Sequence, residues 1–247
     1  MRIVNKKSFF RGSGLLISFA ILLALILCPL LPGEDGEKIT GLEYADQIFN
    51  ELSKGSSNFM KLARETARSM DGRQVYLVSP LNSEYQAELA RTLLSDAGVP
   101  QLKVDGDRLA FRGNLGAILE AAVNDSELLF HNDGAAVSSR YGGTAPLDVS
   151  NTWWRLLDPC IRELQKEKKL EEANAVDLVI RKAIEPANNF YGIPAKKVSE
   201  NLLLLCALLL FYVGYTIWYG FGIYEIFEGL GLMEKNEGKA AEEAESA

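Results

Sequence analysis

The chain has 247 residues, 48% of them hydrophobic, with a net charge of −7, three cysteines and a single histidine. That acidic balance, without any dense Lys/Arg stripe, excludes a nucleic-acid binder, which needs a basic face to neutralise phosphates. Cys28 and Cys206 lie in apolar blocks, which leaves Cys160 alone in the remainder; no disulfide framework forms there, and one histidine without CxxC or HxxxH spacing gives no zinc or iron–sulfur signature, so no cofactor is expected.

Residues 1–13 are basic, with Arg2, Lys6, Lys7 and Arg11 ahead of a Leu/Ile-rich run at 14–31. The run reads as a retained signal anchor, because Leu27, Pro29, Leu30 and Leu31 stand where a cleavage site would want small residues. Leu27 before Cys28 likewise disfavours a lipoprotein site. The preceding positive charge puts the N-terminus in the cytoplasm and the following region outside the inner (cell) membrane. Arg181, Lys182, Lys196 and Lys197 before the second span point the other way, but long loops translocate largely regardless of charge.

Residues 33–72 read as a helical stalk. "TGLE" at 40–43 fits a capping box, and Leu42, Ala45, Ile48, Phe49 and Leu52 recur at helical spacing. "SKGSSN" at 53–58 breaks the helix, and Phe59, Met60, Ala63 and Ala67 begin another.

Residues 73–148 carry the most legible pattern. "QVYLV" at 74–78 is a strand; Tyr85, Leu89, Leu93, Leu94 and Ala97 form a helix stopped by Gly98. Asp105-Gly106 predicts a type I′ hairpin that sets Leu102 opposite Leu109. Gly113-Asn114 caps a helix through Leu115, Ile118, Leu119, Ala122 and Val123, and "ELLFH" at 127–131 reads as a closing strand. The order β-α-β-β-α-β predicts a ferredoxin-like sandwich. A loop with room for a short strand at 135–139 follows.

Residues 149–193 predict a helical return: Ser150 caps a helix bearing Trp153 and Trp154, Asp158-Pro159 restarts it, and "EPANNFYGIP" at 185–194 ends it. Adjacent helical residues point about 100° apart. Two readings stay open for Trp153 and Trp154: both pack against the sheet's open face, or one packs while the other meets the bilayer surface or a partner.

The second span, 202–224, has no charge over 202–223, where a bilayer core needs about 20 residues. Tyr212, Tyr215, Tyr219 and Gly222 form one helical stripe, beside Gly214, Trp218, Phe221 and Glu225. Two readings stay open for it, an interfacial aromatic belt and packing against another transmembrane helix. Glu225 is expected at the interface, and deeper burial would mark it as functional. The acidic tail 233–247 is expected to be disordered.

Catalytic signals are thin. His131-Asn132-Asp133 has acid–base atoms, but its nucleophile would have to come from Ser138, Ser139 or Cys160 without a motif. "GNLGA" at 113–117 is a helix cap in place of a phosphate loop. The chain thus reads as an α+β membrane protein with a ferredoxin-like (βαββαβ) soluble domain between two transmembrane helices. An anchor, a stalk and a βαββα unit resemble, in architecture, inner-membrane assembly proteins such as the ring-building components of secretion machines. The expected function is non-enzymatic assembly through the extracytoplasmic domain and the second span. Expected partners are the lipid bilayer, other membrane proteins or further copies of the chain, and no nucleic acid. The alternative is an accessory subunit of a membrane enzyme or transporter.

Overall fold

The structure is a computed structural model that describes residues 3–33 and 36–232; the predicted acidic tail lies outside them. The chain divides into two units, Met1–Phe49 with Lys197–Ala247, and Asn50–Lys196.

Helix α1 (Lys6–Leu27) starts at Asn5, whose side-chain oxygen accepts the amides of Lys7 and Ser8 at 3.1 and 3.2 Å. Short strands β1 (Leu31–Pro32) and β2 (Lys38–Ile39) pair after it. Helix α2 (Gly41–Ser56) opens with the capping box: the Thr40 amide donates to Glu43 Oε2 at 2.7 Å and the Glu43 amide to Thr40 Oγ1 at 3.1 Å. These bonds hold the Glu43 carboxyl below its usual range.

In the second unit, α3 (Met60–Ser69) leads to β3 (Gln74–Pro80), α4 (Glu84–Asp96), β4 (Gln101–Asp105), β5 (Arg108–Asn114) and α5 (Leu115–Phe130). The sheet order is β3-β5-β4, antiparallel throughout. Val75, Leu77, Leu109 and Phe111 are buried in one core with Leu93, Leu94, Leu115 and Ile118.

The ferredoxin-like expectation fails at its last strand. "ELLFH" is the final turn of α5, with His131 as its C-cap. Ser126, Leu129 and Phe130 are buried and continue the i, i+3, i+4 series of Leu115, Ile118, Leu119, Ala122 and Val123, so the helical face outweighs a five-residue strand. Three strands remain in a helix-rich unit. The residues foreseen as a short strand form α6 (Gly134–Arg140), capped by Asp133. The hairpin turn is Gly106-Asp107, with Asp105 opposite Arg108 and Leu102 opposite Phe111. Gly106 alone has positive φ there, at 60°, which matches a type II′ turn in place of the expected I′.

Helix α7 (Pro146–Lys166) begins at Pro146, which suits a first helical turn, so Ser150 lies inside the helix and caps nothing. Pro159 does not restart it. Lacking an N–H, Pro159 frees the Arg155 carbonyl, and Ser79 Oγ of β3 donates to that carbonyl at 3.3 Å. Thus α7 packs on β3, the strand that a closing strand would have to join. Helix α8 (Leu170–Val179) runs through a π turn, Ile180–Ile184, into α9 (Glu185–Phe190). Pro186 sits in the first turn of α9, and the predicted break moves to Tyr191-Gly192, where Gly192 has φ +85°. After a 3₁₀ turn, Val198–Glu200, the chain enters α10 (Leu202–Gly229).

Two buried charges brace the second unit. Asp125 of α5 is fully buried and accepts from Trp153 Nε1 at 2.8 Å, Tyr141 Oη at 2.7 Å and Arg140 Nη1 at 2.6 Å. Burial pushes its carboxyl above the usual range against the pull of those donors, and pushes the Tyr141 phenol up too. Lys54 is 2% exposed, although the sequence places it in a polar helix break. Its ammonium donates to Asn132 Oδ1 at 2.8 Å, the Phe190 carbonyl at 2.9 Å and the Ile193 carbonyl at 2.6 Å, and lies 5.3 Å from the Phe130 ring centre. Desolvation lowers its pKa. Asn132 turns with φ +64°, a region that asparagine tolerates.

Two outcomes follow. Lys54→Met removes one charged donor shared by three acceptors, each of which keeps a second donor (the Gly192 and Ile193 amides and Asn132 Nδ2), and lowers stability by about 1–3 kcal/mol, read as a shift in urea midpoint of the detergent-solubilised chain. Because the native Asp125 carboxyl holds its proton more tightly than the unfolded chain does, its contribution is full below the unfolded pKa and lost as pH rises through the folded one. The stability of wild type minus that of Asp125→Asn therefore falls as pH rises from about 4 toward 7; a flat or rising difference contradicts this.

Candidate functional site

Within the first unit, α1 and α10 are both long and apolar enough to cross a membrane, with 22 and 28 residues, consistent with a two-span membrane protein. They pair antiparallel. Gly229 meets Phe9, Gly222 meets Leu16, and Gly12 meets Ile226. A Cβ added at any of the three glycines would stand 2.7 Å from its neighbour; at Gly12 and Gly229 that neighbour is backbone, so the seam admits glycine alone there, whereas at Gly222 it is the end of the Leu16 side chain, which can give way. Small residues permit this close approach in lipid, where helices gain no hydrophobic drive to associate. The amides of Val4 and Asn5 donate to the Gly229 carbonyl at 2.9 and 3.1 Å, satisfying a helix end that would otherwise be bare.

The stripe foreseen on α10 is divided by this pairing. Tyr215 stacks on Phe19 with ring centres 4.4 Å apart, and Tyr219 lies 5.0 Å from the same ring. Gly222 is buried at the seam. Glu225 lies 3.4 Å from Arg11, its side chain only 13% exposed and its Oε2 without a hydrogen-bond partner. Tyr212 stands apart and exposed, as do Trp218, Phe221 and Tyr224. The half of the seam on α1 was missed by sequence reasoning; its signal was Ser8 and Gly12, small residues one turn apart and both buried.

In the second unit the tryptophans part, so the reading in which both pack does not hold. Trp153 is fully buried on Asp125, whereas Trp154 is 37% exposed and donates from Nε1 to Glu185 Oε1 at 3.1 Å. Trp154 walls a groove of about 360 Å³. Ser150, Asn151, Trp154 and Arg155 of α7 form one wall; Ile184, at the end of the π turn, and Glu185, Asn188 and Asn189 of α9 form the other. Each wall repeats the spacing i, i+1, i+4, i+5. Two of the buried side-chain oxygens that lack a partner, Ser150 Oγ and Asn188 Oδ1, belong to residues lining it. The sequence reading assigned Ser150 to a cap and Asn188 to a loop, so nothing joined them.

The acid–base candidates are spent elsewhere. His131 is exposed, Asn132 holds Lys54, and Asp133 caps α6. Ser138 and Ser139 donate to the carbonyls of Thr144 and Ala136. Cys160 is buried, which pushes its thiol far up. In the 113–117 turn, Asn114 accepts the Gly116 amide and caps α5. Among the described residues no group of three His, Cys, Asp or Glu side chains is placed to hold a metal ion.

No family model, curated protein or solved structure matches the chain.

The antiparallel seam is checked by cross-linking. With Cys28 and Cys206 replaced by serine, Leu16→Cys with Gly222→Cys forms a disulfide in membranes on mild oxidation. Adding Gly12→Leu slows that reaction roughly fivefold, the equivalent of about 1 kcal/mol of helix association.

Proposed function

We propose that the chain is a non-enzymatic two-span membrane protein with cytoplasmic termini. Its extracytoplasmic α+β unit and second transmembrane helix mediate assembly with partner proteins or with further copies of itself. The observation that carries this reading is the contrast between the two kinds of polar cluster in the second unit. Asp125 and Lys54 have their donors and acceptors matched internally and brace helices. The Trp154 groove is instead walled by an exposed indole and by Ser150 and Asn188, whose buried side-chain oxygens are unmatched, a composition that supports recognition. The exposed aromatic side chains of α10, Tyr212, Trp218, Phe221 and Tyr224, support contact with lipid headgroups or another span.

One observation favours the second reading, an accessory subunit of a membrane enzyme or transporter. Glu225 keeps a carboxylate oxygen buried and unmatched on a membrane-length helix.

Native mass measurement after detergent extraction tests the assembly reading: a homo-oligomer or co-purifying subunits are expected, and a bare monomer overturns it. Orientation is read by labelling Asp105→Cys, an exposed hairpin position, with an impermeant maleimide in intact cells. Labelling is expected, and protection reverses the topology.

A further inference from the structure

We infer that the groove between α7 and α9 binds an extended peptide segment of a partner protein, gripped by its backbone. This rests on the assembly reading and names the form the partner takes there.

The first argument is hydrogen-bond inventory. A peptide unit offers one N–H donor and one carbonyl acceptor. Asn188 Oδ1 is an acceptor in want of a donor, and the Ser150 hydroxyl is a donor in want of an acceptor. Asn151 and Asn189 add carboxamides, which carry both functions, on the same walls. Leaving a buried polar atom unpaired is costly, and a peptide unit that displaces the groups covering these two oxygens matches both at once.

The second argument is spacing. Groove side chains recur one helical turn apart, about 5.4 Å along the axis, and alternate residues of an extended chain recur about 6.6–6.8 Å apart. The two repeats differ by about 1.2–1.4 Å, so over the single turn that the groove spans the polar groups stay within side-chain reach of two same-facing units of an extended backbone. The exposed face of Trp154 supplies a platform for an apolar or aromatic side chain.

The third argument is charge. Arg155 makes no ion pair among the described residues, while Glu185 is engaged by Trp154. One free cation beside an occupied carboxylate favours a peptide with a single acidic residue and disfavours a polyanion. Polar walls disfavour an acyl chain. The π turn ends with Ile184 at the groove, and such turns are frequent at functional sites.

The test uses the full chain in detergent micelles and a displayed random hexapeptide library. Enriched peptides are expected to carry an acidic residue and to change Trp fluorescence in wild type but not in Trp154→Ala. N-methylation of one internal amide should weaken them at least tenfold, because it removes the donor to Asn188. Asn188→Leu should weaken them similarly, with Asn188→Gln, which keeps the carboxamide, recovering part of the loss; both variants are first shown to melt like wild type. No enrichment, or enriched peptides indifferent to backbone methylation and to Asn188→Leu, overturns the inference. Stronger binding of a neutral chitotetraose at Trp154 than of any peptide also overturns it, by assigning the groove to a saccharide. Assembly seen by native mass that persists in Asn188→Leu sinks the groove and leaves the assembly reading standing; peptide binding to a chain that extracts as a bare monomer does the reverse.

Discussion

The carboxylate of Asp125 is the constraint on which the second unit's helical arrangement turns. A fully buried charge is tolerated only when donors surround it, and here the three donors come from Arg140 and Tyr141 around the end of α6 and Trp153 of α7. Those bonds fix α7 in rotation about its own axis. With Trp153 held inward, the next residue has no freedom to join it, and the 100° step turns Trp154 toward Glu185 of α9. The groove, its open indole and its unmatched oxygens thus follow from a salt-bridged core residue on another helix.

Irregularities in the helices complete the arrangement. Pro159 withholds one N–H, and the carbonyl it releases is met by a strand hydroxyl, so the defect in α7 becomes its attachment to β3. Pro186 is carried by a π turn that ends at the groove. In the membrane-length pair the same economy runs through glycine. Three positions without side chains bring α1 and α10 close enough for Phe19 to lie against two tyrosines.

What was legible in the sequence was local and periodic. The capping box at Thr40 and Glu43, the strand at Gln74, the hairpin's glycine and the apolar face of α5 need only neighbours in the chain. The closing strand failed because a short apolar run is ambiguous between strand and buried helix, and the continuing period through Ser126 and Leu129 was the deciding signal. The charged anchors were illegible for a different reason. Lys54 sits among serines and glycine, and Asp125 in "VNDSE"; each looks solvated until a partner far along the chain arrives. Ser150 and Asn188 belong to the same class, since only the fold sets them across one groove. For Tyr215 and Tyr219 the periodicity was visible, but their partner, Phe19, lay nearly two hundred positions away.

Lys54 has a further consequence, for the order of events during synthesis. Among the described residues its ammonium makes no ion pair; two of its three acceptors are carbonyls at Phe190 and Ile193, and Gly55 beside it nestles against the carbonyl of Lys196. A ribosome adding about 5–20 residues per second needs on the order of ten seconds to travel from one to the other. Throughout that interval α1 has already emerged while the lysine remains hydrated and the end of α2 undocked. The second unit therefore closes only after nearly all of it has been made, just ahead of α10, so a nascent chain stalled before residue 190 would display an unfinished core to chaperones and proteases.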